Sequence, residues 1–174
     1  LAGAEKTVGS ALAAPAFAAK RGQVLDLLSP AGHKGRRVLI VGLGDPRELN
    51  AVRAREIGGE IAQHLMSAKE ETAQILAAAD TGTGLDEGGF LANVALGIGL
   101  RSYQFRKYIT QAKKDDLPGK VATLLLVSTK KAATEALVTA AYSSTFSRLL
   151  VGEYMPNQWN DTRHTAVAIE KTSR

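Results

Sequence analysis

The sequence predicts an α/β fold: a three-layer sandwich whose central sheet is largely parallel and carries helices on both faces. Three observations lead there. Val38-Leu39-Ile40-Val41 is an unbroken β-branched and aliphatic run, the pattern of a strand covered on both sides. It is followed at once by Gly42-Leu43-Gly44, which permits a tight turn, and by Asp45-Pro46-Arg47-Glu48, which reads as a capping box with proline at the first helical position. Beyond that point strand-like runs and segments of helical spacing alternate, the order in which parallel sheets are built. With 174 residues, 45% of them hydrophobic, the chain is long enough to bury a core of its own.

The first 22 residues are small and alanine-rich. Pro15 interrupts them, Val8 to Ala14 has the composition of a short helix or turn, and Phe17 offers a single apolar anchor. Gln23 to Leu28 reads as a strand closed by Ser29-Pro30 and the polar loop Gly32-His33-Lys34-Gly35. A helix is expected from Asp45, with Leu49, Val52, Ile57, Ile61 and Leu65 as its apolar stripe and Arg53, Arg55, Glu56, Glu60 and Gln63 opposite.

Thr72 to Ala79 is helix-prone by composition, but its length between two helices suits a strand, and a strand is expected. After the loop Thr81-Gly82-Thr83-Gly84-Leu85-Asp86, the residues Leu91, Val94, Ile98, Phe105 and Ile109 recur at helical spacing, with Ser102 in the same stripe. Gly97 and Gly99 inside this helix each cost about 1 kcal/mol against alanine, which points to close packing on a neighbour. Lys113 to Gly119 is a charged turn, Val121 to Val127 a buried-type strand, and Lys131 to about Val151 a third helix. Thr165 to Ile169 has the composition of a short extra strand.

Several function classes find no support. There is no cysteine, which removes disulfides, thiolate metal sites and a cysteine nucleophile. His33, His64 and His164 are not at metal-ligand spacing, and His64 suits the C-terminal end of its helix. Asp86-Glu87 and Asp115-Asp116 lie in turn-like sequence, where solvated carboxylates are expected. Ser143, Ser144 and Ser147 lack the Gly-x-Ser-x-Gly elbow of a serine hydrolase. Gly42-Leu43-Gly44 is not a dinucleotide fingerprint, because Arg47 occupies the position of the third glycine and Asp45 brings a negative charge to the helix start. No run of 18 apolar residues occurs, and the start has no charged segment leading into a long apolar core, so neither a spanning helix nor a signal peptide is expected. The net charge of +5 is mildly basic.

Ala95 to Tyr108 resembles the segment "aeG.lL..Y.FdkYk" of the leucyl (cytosol) aminopeptidases, the metallopeptidases of family M17. Gly22 to Leu28 and Arg37 to Asp45 are similar to that family's "G..l.l" and "rvllvGlG" strands, and Ser147 to Asn157 to its "aRdLvneP.N" link, with Leu150 and an extra spacing before Pro156 as departures. The resemblance runs over about residues 8 to 157, which gives a domain of residues 1–157 and a divergent tail of residues 158–174.

This resemblance implies the family's N-terminal, macro-like domain, a cytoplasmic setting and a role in assembly rather than in chemistry. In the family two divalent metals, zinc or manganese, are bound by a C-terminal catalytic domain. None of its ligands, nor its catalytic lysine or bicarbonate-binding arginine, has a counterpart in this sequence, so no catalytic, cofactor or metal residue is assigned and the chain is expected to be inactive alone. A protein partner or self-association is expected, with Tyr103 and Tyr108 off the apolar stripe as candidate contacts. The alternatives are a macro-like module for ADP-ribose or a nucleotide, and a DNA-binding domain that would use Arg101, Arg106, Lys107, Lys113 and Lys114, within a basic set that also includes Lys34, Arg36, Arg37, Lys130 and Lys131.

Overall fold

The computed structural model of the chain describes residues 5–31, 36–77, 85–103 and 119–128, together with the backbone of residues 148–153 and 165–170. Its elements are α1 (Glu5–Leu12), β1 (Val24–Leu28), β2 (Arg37–Gly42), a single 3-10 turn (Pro46–Glu48), α2 (Ala51–Ser67), β3 (Thr72–Ala77), α3 (Glu87–Ser102), β4 (Thr123–Ser128), β5 (Arg148–Glu153) and β6 (Thr165–Glu170). This is a mixed α/β architecture. The strands lie in the order β1-β2-β6-β3-β4-β5. β1 runs antiparallel to β2, pairing Asp26 with Leu39, and the β2–β6, β6–β3, β3–β4 and β4–β5 pairs are parallel.

The alternation of side chains along β2 sends its residues to two different cores. Leu39 and Val41 join Ala73 and Ile75 of β3 and Leu124 and Leu126 of β4 beneath α2 and α3, in a cluster that includes Ile57, Ile61, Leu65, Phe90, Leu91, Val94 and Ile98. Val38 and Ile40 point the other way and form a smaller cluster with Val8, against which Leu12, Phe17, Leu25, Leu27 and Leu76 pack. The short N-terminal helix and the anchoring role of Phe17 are therefore as the sequence indicated.

α2 and α3 meet at unusually short range, and the cause lies in two glycines. A Cβ on Gly58 would fall on the carbonyl oxygen of Val94, and one on Gly97 would fall on that of Arg55. Each helix thus places a backbone carbonyl where the other has no side chain, which explains Gly97, one of the two interior glycines of α3 expected to mark close packing. One residue further along α2, Gly59 has nothing within 4 Å of the same position.

The start of α2 differs from expectation. Asp45 caps only the single 3-10 turn Pro46–Glu48, not α2: its carboxylate accepts from the backbone N–H of Arg47 at 2.9 Å and from the Arg47 guanidinium at 2.7 Å. The cap is Asn50, whose Oδ1 accepts from the N–H groups of Val52 and Arg53 at 3.0 and 3.1 Å. Leu49 consequently precedes the helix, yet it is still buried in the main cluster. Val52, expected in the apolar stripe, is 58% exposed because the helix phase that buries Ala54, Ile57, Ile61 and Leu65 puts position 52 on the outer face.

α3 ends at Ser102, with Tyr103 as an extended C-cap; Phe105, Ile109 and the turn from Lys113 to Pro118 lie outside the described residues. The third expected helix is corrected at its end. Residues 148–153 form β5, paired in parallel with β4 from Thr123↔Arg148 to Ser128↔Glu153, and residues 131–147 lie outside the described residues. Leu149-Leu150-Val151 satisfies a strand as well as a helix end, and sheet pairing decides between them. β3 and β4 occupy the expected stretches, and the short strand expected from Thr165 is β6.

Before β1, one side chain fixes the incoming loop. Gln23 Oε1 accepts from the backbone N–H groups of Ala18 and Lys20 at 3.0 and 3.2 Å, and its Nε2 donates to the Ala16 carbonyl at 2.6 Å.

Candidate functional site

The three places that the sequence marks for chemistry are the glycine turn after β2, the acidic loop before α3 and the basic, aromatic end of α3. The structure gives each a different standing.

At the glycine turn the N–H groups of both glycines are already used. Gly42 N–H donates to the Gln23 carbonyl at 2.8 Å and Gly44 N–H to the Ala19 carbonyl at 3.1 Å, while the Gly42 carbonyl accepts from Gly22 N–H at 3.1 Å. A Cβ on Gly42 would collide with the backbone of Ala19 and Lys20, and Gly44 has φ +73°, a conformation that glycine adopts at little cost. The two glycines therefore let segment 19–22 lie across the turn. A phosphate cradle needs such N–H groups turned outward and unclaimed. Beyond the turn, Asp45 is held as a carboxylate, its pKa lowered to about 2 by the hydrogen bonds and positive charge of Arg47. That charge opposes an incoming anion.

In the acidic loop, Asp86 is the N-cap of α3 and accepts from Gly89 N–H at 2.7 Å. Glu87 is buried, contrary to the expectation of a solvated carboxylate; it lies in the first turn of α3, where a negative charge is favoured. Thr81-Gly82-Thr83-Gly84, Asp115-Asp116, His33, His164, Ser143, Ser144 and Ser147 lie outside the described residues. His64 sits in the last turn of α2, as the sequence indicated. Among the described residues no group of three histidine or acidic side chains is placed to hold a metal ion.

At the end of α3, Tyr103 is 72% and Leu100 65% exposed. Arg101 is exposed beside them, its guanidinium 3.4 Å from Gln63 Oε1 of α2. Tyr108, Arg106, Lys107, Lys113 and Lys114 lie outside the described residues. Leu100 was not singled out from the sequence, although the signal was there: with Leu91, Val94 and Ile98 facing inward, position 100 falls on the far side of the helix.

Part of the basic set is neutralised from within. Glu70, buried in the connection just before β3, receives Arg36 at 2.7 Å and has Arg37 Nε at 3.7 Å, and Arg37 also donates to Asp26 at 2.9 Å. Nothing in the spacing of these four residues foretold the cluster, because it depends on how β1, β2 and β3 line up at one end of the sheet.

Residues 2–112 match the family model described as the cytosol aminopeptidase family, N-terminal domain. The chain belongs to the cytosol aminopeptidase family. It is 36% identical over 120 residues to a probable cytosol aminopeptidase of Rhodopseudomonas palustris (strain BisA53), covering 67% of this chain and 24% of that one. Against the probable cytosol aminopeptidase of Xanthobacter autotrophicus (strain ATCC BAA-1158 / Py2) it is 35% identical over 140 residues, 78% of this chain and 28% of the relative. The chain thus spans about a quarter of the length of these relatives. Among solved structures, the bottromycin maturation enzyme BotP superimposes with a TM-score of 0.55 at 22% identity, over 81% of this chain and 27% of that one, a likeness of fold. The resemblance drawn from the strand, glycine and tyrosine motifs is therefore a family relationship. Among the described residues no helix is long and apolar enough to cross a membrane.

Proposed function

We propose that this chain serves a cytosol aminopeptidase as a non-catalytic, architectural N-terminal domain. The observation that carries the reading is the match of residues 2–112 to the N-terminal domain of the family, in a chain that aligns with only about a quarter of its relatives' length. In this reading the fold is a macro-like three-layer sandwich. Clusters on opposite faces of β2, one under α2 and α3 and one against α1, support it. The parent enzyme would remove N-terminal amino acids in the cytoplasm with two divalent metals, zinc or manganese, held outside this domain. Tyr103 and Tyr108, with Leu100, would contact a protein partner or a second copy, and the exposure of Leu100 and Tyr103 supports that placement.

The nucleotide alternative is weakened by the committed N–H groups of Gly42 and Gly44. The DNA alternative loses Arg36 and Arg37, which are balanced by Glu70 and Asp26.

The test is hydrolysis of leucine p-nitroanilide by the purified chain with added Mn²⁺ or Zn²⁺. No turnover is expected, and metal-dependent turnover that co-elutes with the chain would overturn the reading. Sedimentation tests the contact surface. Tyr103→Ala should weaken self-association or binding to the remainder of a family enzyme with little change in melting temperature, whereas lost stability with unchanged assembly would place Tyr103 in the core.

A further inference from the structure

We draw no further inference here: the strongest candidate, the exposed apolar patch of Leu100 and Tyr103 at the end of α3, belongs to the contact surface proposed above, and nothing in the structure shows what covers it.

Discussion

The inner and outer faces of α2 put two adjacent glycines to opposite uses. Gly58 looks into the seam with α3, where the Val94 carbonyl occupies the space of a missing Cβ, and Gly97 mirrors it against the Arg55 carbonyl. Gly59 looks outward and touches nothing. The same residue type, with the same intrinsic cost of about 1 kcal/mol in a helix, is offset by close backbone packing at one position and by nothing at the next. Crowding of a glycine by a partner's backbone, rather than glycine itself, marks where a helix pair is fixed.

The first way to sharpen this contrast is to damage the core on the side of the sheet away from the seam. Ile40 is 1% exposed in β2, and Ile40→Asp buries an unpaired charge at a cost of more than about 4 kcal/mol. Loss of the cooperative thermal transition is expected; a melting temperature within a degree or two of the parent would show that Ile40 is not buried in the folded sheet.

Next is the seam. Gly97→Ala forces a methyl group onto a backbone carbonyl that cannot swing aside as a side chain would, so α2 and α3 must separate. Overpacking of this kind costs about 3 kcal/mol, to be read as a fall in the urea midpoint. A neutral result would mean that the helices are further apart than described.

Gly59→Ala should move the other way. With open space around it, the added methyl removes backbone freedom from the unfolded chain and stabilises the protein by about 0.5–1 kcal/mol. If Gly58→Ala and Gly59→Ala shift the urea midpoint alike, the contrast between the two faces fails.

The smallest effect belongs to the exposed pair Asp45–Arg47, which serves as a reference lying off both faces of α2. The Asp45 pKa, lowered from 3.8 to about 2, means that the folded chain favours the carboxylate. That contribution is fully present above about pH 4 and is lost as pH falls through about 2. Carboxyl NMR titration should show the low value and its return toward 3.8 in Arg47→Ala, with no change in melting temperature at neutral pH, since the pair is solvent-screened.

The contrast also shows how far the sequence could be read. The stripe of Ile57, Ile61 and Leu65, the stripe of Leu91, Val94 and Ile98, and the β2 run were legible because burial repeats with the period of the element. Gly97 was legible as a packing site, and the strand beginning at Thr72 was recovered from the spacing of its neighbours although its composition favours a helix. What failed was local competition between near-equal options. Asp45 and Asn50 are both good N-caps and both are used, Asp45 on the 3-10 turn Pro46–Glu48 and Asn50 on α2. Leu149-Leu150-Val151 suits either element, and the pairing partner across the sheet settles it. At the candidate site, Tyr103 is exposed as expected, although α3 ends one residue before it, whereas the charge cluster around Glu70 depends on how the ends of three strands line up and has no sequence period.

The loop that Gln23 holds carries a consequence for the chemical ageing of the protein. A side-chain amide is the one group of its size that can accept from Ala18 and Lys20 with one atom and donate to Ala16 with the other. Hydrolytic deamidation to glutamate preserves the shape of the side chain and its acceptor, but turns the donor into a second oxygen, so an attraction at 2.6 Å from the Ala16 carbonyl becomes a repulsion between two acceptors. The damage would spread beyond residue 23. Segment 19–22 lies across the Gly42-Leu43-Gly44 turn, so a covalent change of less than one mass unit at a half-exposed glutamine would loosen the exit from β2.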